Sequence, residues 1–300
     1  MKSLFQQLLT LFFLFDSYLL ISQGALDGYM KGKGNMDIAP SFSQISAKSL
    51  VGASQQSYDI PYSGQFLSAF LTYGIHDKLD LVTTIPYVIS NDQRGLQDGG
   101  FFLKFRPIYL QNSSKGRLGI LFGSGISLPL SNYQPTVAGA IGQRAISAPV
   151  RSIIQWDTPW GAFVNITAGY NWRFDQYQSD DLTRIRKTRP DYNPEKAPNY
   201  ATFLIKAGLP AAHYYLDGWI EWQHTNPNSG TDFVPGIEDL PQAYGISYTQ
   251  VGGTVYYSET GRRGVYCSAS KILNGRNVSR TLRITVGMVF KISPSALNKP

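Results

Sequence analysis

Three kinds of residue in this chain could do chemistry, and each is worth only what its element lets it reach. The first is His224, in the run Trp222-Gln223-His224-Thr225-Asn226. A histidine can act as general base for a lipid hydrolase if a hydroxyl nucleophile lies within hydrogen-bond reach. On a strand the residue sharing its face is Asn226, and an amide is no nucleophile. Thr225 has the hydroxyl but faces the other way, because neighbouring side chains alternate across a strand. Glu221 and His224 diverge for the same reason and make no metal pair. The only other histidines are His76 and His213, so no zinc-ligand spacing is present. The second kind is Cys267, the only cysteine. It excludes an intrachain disulfide and, with no activating neighbour, reads as a small strand residue rather than a reactive thiol. No catalytic residue, metal ligand or cofactor site is expected.

The third kind is a set of charges recurring at alternate positions: Lys104, Arg106, Arg151, Arg173, Lys206 and Arg283, against Asp80, Asp217 and Glu221, with Lys291 near one end. What such charges do depends on the surface that carries them. The stretch Thr281 to Ile292 supplies that surface in its clearest form. Leu282, Ile284, Val286, Met288, Phe290 and Ile292 fall on one face, and Thr281, Arg283, Thr285, Gly287, Val289 and Lys291 on the other. Period-two alternation over such a length exceeds the ordinary strand and suits one that crosses a bilayer at a tilt, which needs about 9–11 residues.

The same alternation recurs along the chain. It predicts strands near 35–45, 65–75, 79–90, 99–111, 117–128, 146–156, 160–174, 200–209, 213–224, 242–258, 265–272 and 281–292. Turns as short as Asp77-Lys78 and Asp157-Thr158-Pro159 alternate with longer connections such as 129–145, 175–199 and 225–241. The fold class expected is all-β: a transmembrane, antiparallel up-and-down β-barrel of about 12 strands, tight turns at the periplasmic end and loops outside. A lysine or arginine on the lipid face costs about 2–4 kcal/mol near the midplane, so the charged face must line the lumen. An open sheet edge in lipid would leave backbone groups unpaired, so the sheet must close. Lys104, Arg106, Arg151, Arg173, Lys206, Asp217, Glu221 and Arg283 are therefore the expected lumen-lining residues. They either favour anions or pair across the lumen and fill it.

In the segment 160–174 the even positions from Trp160 to Phe174 form one apolar face, with Phe163 the exception on the other. Trp160 and Trp172 are spaced to reach the two interfacial belts, about 30 Å apart along the membrane normal after tilt. Trp222 joins them as an expected interface aromatic. Around 242–272 the apolar parity changes between Tyr244, Ile246, Tyr248 and Val251, Val255, Tyr257, which predicts a bulge at Gly252-Gly253. The segment 99–111 places Phe101, Leu103, Phe105 and Tyr109 opposite Lys104 and Arg106.

Composition agrees. Charged residues are 16% of the 300, well below the roughly 25% of a soluble domain, so part of the surface faces something other than water. The formal net charge of +7 comes without a basic helix or nucleic-acid module, so no nucleic-acid partner is expected. Residues 1–24 read as a cleaved secretory signal, with Lys2 at the start, a greasy run broken by Asp16, and Ser22 and Gly24 before a cut at Ala25. Residues 25–34 are glycine-rich and flexible, long enough to enter the lumen. There Leu26, Tyr29 and Met30 would find an apolar patch while Lys31 and Lys33 approach Asp80 or Asp217; a simple leader is the alternative. Residues 35–292 form the barrel and 293–300 a periplasmic tail. Expected partners are outer-membrane lipid, lipopolysaccharide phosphates for the basic stretch around Arg184, Arg186, Lys187 and Arg189, the assembly machinery reading Phe290, and an unidentified small molecule.

The segment 79–130 carries a resemblance. Leu79-Asp80-Leu81, Ile85-Pro86-Tyr87, Gly95-Leu96-Gln97-Asp98-Gly99, Leu103-Lys104-Phe105-Arg106 and Ser127-Leu128-Pro129 resemble the outer-membrane family named for the MetA pathway of phenol degradation. The start Gly28-Tyr29-Met30-Lys31 resembles Bacteroidetes-like members. Gln97 replaces the usual glycine, and Leu130-Ser131 the usual Thr-Gly. The resemblance implies a transporter-like barrel in the Gram-negative outer membrane for small, aromatic or hydrophobic molecules, and no enzymatic activity. The competing readings are an outer-membrane lipid-modifying enzyme and a soluble exported β-sandwich that binds a ligand.

Overall fold

The computed structural model describes residues 27–53, 55–90, 93–133, 141–142, 144–174, 197–226, 232–233 and 245–293. Twelve long strands make the wall: β1 (Met36–Ala47), β2 (Tyr62–His76), β3 (Leu79–Ser90), β4 (Asp98–Asn112), β5 (Gly116–Pro129), β6 (Ser147–Asp157), β7 (Phe163–Arg173), β8 (Tyr200–Ala211), β9 (Tyr214–Thr225), β10 (Ser247–Tyr257), β11 (Arg263–Arg276) and β12 (Leu282–Ile292). Each pairs antiparallel with its neighbours in sequence. The last pairs with the first, from Met36 opposite Ile292 to Ser46 opposite Leu282, and this seam closes the barrel. The sandwich reading is thereby excluded. Short pieces at Leu50–Val51, Ser57–Tyr58 and Val278–Ser279 form a small separate sheet at the loop end.

Alternation decides the two surfaces. Phe101, Leu103, Phe105, Phe122, Ile126, Ile154, Ile166, Ile205, Leu216, Ile284, Val286 and Met288 all stand exposed on the outside. On the inside, Lys104, Asp80, Gln155, Asn165, Thr167, Lys206, Thr254, Ser268 and Thr285 are buried. So large an apolar outer surface is costly in water and suited to hydrocarbon.

Three expectations are corrected. The seventh strand begins at Phe163, not 160, so Trp160 belongs to the turn before it, where Gly161 takes a left-handed φ of 100°. Trp156 of β6 faces outward at that end instead, its Nε1 donating to the Lys115 carbonyl (3.1 Å). The tenth strand begins at Ser247 and runs through Gly252-Gly253 without a bulge. The register slips instead between Thr249 and Gln250, with the extra residue, Leu273, on β11. The change of parity read there came from Tyr248, which is an inward tyrosine. Finally, a register shift between Phe105 and Ile108 turns Tyr109 to the inner side, opposite Gly119.

The signal, the charged stretch 175–196 with its four named cations, and the tail beyond Ser293 lie outside the described residues.

Candidate functional site: the barrel lumen

The lumen is organised by the N-terminal segment, Asp27–Asn35, which crosses it near the short-turn end. At β2 it is held by two backbone hydrogen bonds, Gly34 N to Gly74 O (2.7 Å) and Gly74 N to Asn35 O (2.9 Å). The approach is so close that a Cβ on Gly74 would collide with the Gly32 carbonyl. Gly32 and Gly34 adopt left-handed φ values of 77° and 79°, open to glycine at little cost. The Lys31 amide donates to both Asp80 oxygens (3.3 and 3.1 Å), its ammonium pairs with Asp37 (2.7 Å), and the Lys33 amide donates to Asp77 (2.9 Å). Met30 packs on an apolar lumen patch of Val82, Phe102, Leu121 and Ile153. Leu26, the third apolar residue expected there, lies outside the described residues. Across the lumen the Tyr29 ring stands edge-on to Phe163 (5.9 Å), which stacks on Tyr215 (5.5 Å). Phe163, the exception to its strand's polar face, is therefore the anchor for the segment.

Lys104 is the electrostatic centre. Its side chain is 1% exposed, 2.6 Å from Asp27 and 3.4 Å from Asp80, and its ammonium also donates to the Tyr29 carbonyl. Burial opposes ionisation of Asp27, but the Lys104 and Lys31 ammonium groups outweigh it and hold its pKa down at about 2. Lys31 is pulled down by burial and pushed further up by Asp27 and Asp37, so it stays charged. The segment is docked by charge pairs removed from bulk water, where screening is weak.

The other expected lumen residues divide into two groups. Lys206 lies 3.6 Å from Asp217, which also accepts the Tyr215 hydroxyl (3.0 Å). Glu221 accepts the Tyr248 hydroxyl (2.9 Å). Arg151 reaches Thr202 (3.3 Å), Arg173 donates to the Pro198 carbonyl (2.8 Å) and lies over Tyr200 (4.8 Å), Arg106 lies over Tyr109 (4.3 Å), and Arg283 over Phe66 (4.8 Å). Lys291 lies over Tyr256 (5.7 Å). Four wall cations, Arg106, Arg151, Arg283 and Lys291, thus have no carboxylate partner among the described residues. Trp222 faces outward against Phe203 (5.7 Å), and Trp172 against Tyr170 (4.8 Å). His224 points outward and Thr225 inward, its hydroxyl donating to the Ile246 carbonyl (2.7 Å), so the two do not meet. Cys267 is buried and free. No cluster of metal-ligating side chains occurs among the described residues.

Among the described residues, two features narrow the passage. From the loop end, Tyr133 and Ile141 fold in against Val88 and Phe66, with the Tyr133 hydroxyl on Asp98. From the other end the N-terminal segment leaves a cavity of about 630 Å³, lined by Asp27, Tyr29, Arg117, Tyr215, Tyr256 and Lys291 among others. Trp219 was overlooked in the sequence, although it shares the polar parity of Asp217 and Glu221 on β9. Parity alone places it inside.

No family model and no curated protein sequence matches the chain, so the likeness to the phenol-degradation family rests on the motif residues quoted above. Among solved structures, the chain is similar to the COG4313 outer membrane channel from Pseudomonas putida F1, at 13% identity with a TM-score of 0.68, covering 91% of this chain and all of that one. It is also similar to the NanC porin, at 8% identity with a TM-score of 0.53, covering 85% of this chain and all of that one. Both are outer-membrane barrels, and the fold of this chain is theirs.

Proposed function

We propose that the protein is an outer-membrane channel for small solutes and carries out no catalysis. The observation that carries this is a closed barrel with an apolar exterior and a charged interior, crossed among the described residues by the short docked segment Asp27–Asn35. Such an interior offers polar solutes a route through hydrocarbon that the exterior denies them. The patch of Val82, Phe102, Leu121 and Ile153 under Met30, together with Phe163 and Tyr215 beside Tyr29, is laid bare when the segment leaves, and this supports solutes with an apolar or aromatic part. The cations without carboxylate partners support anions over cations.

The test is single-channel conductance in planar bilayers, comparing the mature chain with a form lacking 25–33. The shortened form should conduct several-fold more, because the segment occupies the lumen. Absence of conductance in both forms, with both shown to be folded by heat-dependent gel mobility, would overturn the channel reading.

A further inference from the structure

One residue of the docked segment presents to the wall what a small solute could present in its place. The Tyr29 carbonyl accepts from the Lys104 ammonium, while the Tyr29 ring stands edge-on to Phe163 (5.9 Å), itself stacked on Tyr215 (5.5 Å). Asp27 Oδ1 is the second acceptor on that ammonium (2.6 Å) and also takes the Tyr29 amide (3.2 Å). Two oxygens on one buried ammonium are what a single carboxylate supplies. Covalent geometry then fixes the spacing, since two carbons separate the ring of a tyrosine from its carbonyl carbon. The fit beside this residue is close. A Cβ on the buried Gly28 would collide with Gln155 Oε1 and Asn165 Nδ2, and the Tyr29 hydroxyl meets the Gln155 side chain.

Departure of the segment is costly unless something replaces it. The Lys104 side chain is 1% exposed, and without Asp27 and the Tyr29 carbonyl its ammonium keeps only Asp80, at 3.4 Å, among the described residues. A buried cation stripped of partners is strongly destabilising. An incoming carboxylate restores the charge that Asp27 takes away. Lys31 withdraws from Asp37 at the same time, but Asp37 lines the cavity of about 630 Å³, where water can reach its charge. The same cavity gives access, because Asp27, Tyr29 and Tyr215 all line it. A solute inside it touches both the segment to be displaced and a ring that stays. Gly32 and Gly34, at φ values of 77° and 79°, supply the pivot between residues 27–31 and β1.

We infer that the segment is a tethered stand-in for the solute, and that the site beneath it takes arylpropanoates, with the carboxylate on Lys104 and the ring against Phe163 and Tyr215. The inference rests on the channel reading, which supplies the route by which such a solute arrives. It adds that the solute and residues 27–31 exclude one another.

The probe is 3-(4-hydroxyphenyl)propanoate, titrated calorimetrically into the full mature chain in detergent and into the form lacking 25–33. Heat-dependent gel mobility serves as the folding check. Saturable binding is expected in both. A segment tethered this closely competes at an effective concentration on the order of millimolar, so its removal should tighten binding about tenfold. Asp27→Asn in the full chain should act in the same direction. In the shortened form, Lys104→Met and Phe163→Leu should each weaken binding about tenfold. 4-Hydroxybenzoate, with its carboxylate directly on the ring, and tyramine, with an ammonium in place of the carboxylate, should bind far more weakly. Trypsin cleavage of the full chain after Lys31 should speed up with the probe present, because displacement frees that bond. Equal binding of either control compound, unchanged or weaker binding by the shortened form, or slower cleavage after Lys31 would each overturn the inference. So would unchanged binding in both folded wall variants, or no saturable heat with folded protein. Liposome uptake of the probe separates the inference from the broader reading. Uptake without saturable binding removes the site and leaves the channel; saturable binding without uptake removes the channel and leaves the site.

Discussion

Lys104 and Asp27 set the conditions under which the N-terminal segment stays docked. The Asp27 carboxyl is held at about 2 against an ordinary 3.8, a preference for the charged, docked form on the order of 2 kcal/mol. A depressed carboxyl contributes fully above its ordinary value and loses the contribution as pH falls through its folded value. Lys31, with a raised pKa, contributes below its ordinary 10.5 and loses it only above that. Docking should therefore hold across the neutral range and weaken from about pH 4 down to about pH 2. Single-channel recordings against pH should show conductance rising only in that acid window. Asp27→Asn should show the raised conductance at neutral pH and flatten the acid response. A variant whose acid response matched the parent's would shift the cause to another group, Asp80 being the nearest.

At the scale of the strand, one position decides between lipid and lumen. Ile284 is exposed on the outer face, while Thr285 is 5% exposed and bonded to Ser43 inside. Ile284→Arg should destabilise the inserted barrel by about 2–4 kcal/mol, whereas Thr285→Arg places its charge on the polar side and should assemble much better. Equal recovery of the two variants from the membrane fraction would contradict the assignment of faces. This parity was legible in the sequence because lipid and lumen impose opposite costs on alternate residues, so all twelve strands could be read from it. Parity failed where a residue is at home on either face. Tyrosine is apolar along its ring and polar at its tip, and Tyr109 and Tyr248 were both assigned outward for that reason. The docking of Asp27–Asn35 carries no periodic signal. It depends on partners distant in the chain, such as Gly74 and Lys104, so the sequence showed that the segment could enter the lumen but not that it does.

For the molecule as a whole, the property that matters is closure, because in hydrocarbon an unpaired strand edge has no solvent to satisfy it. The seam between β1 and β12 joins residues some 240 positions apart, as in the Ser43–Thr285 bond (a separation of 242), so it forms only when the whole sheet is complete. Phe42 and Val286 are direct partners across it, both on the outer face. Direct partners in an antiparallel pair have Cα atoms about 4.5–5.5 Å apart, within disulfide range. With Cys267→Ser as background, Phe42→Cys combined with Val286→Cys should therefore cross-link on mild oxidation of membrane-inserted protein. The oxidised chain should keep an altered gel mobility after boiling, lost on reduction, because the bond ties the chain's ends into one ring. Phe42→Cys combined with Thr285→Cys should not cross-link, since those side chains lie on opposite faces of the wall. A cross-link in the second pair and none in the first would mean a seam shifted by one residue. Such a shift would turn one strand's apolar face into the lumen, and the assignment of lumen and lipid residues on β12 would fail with it.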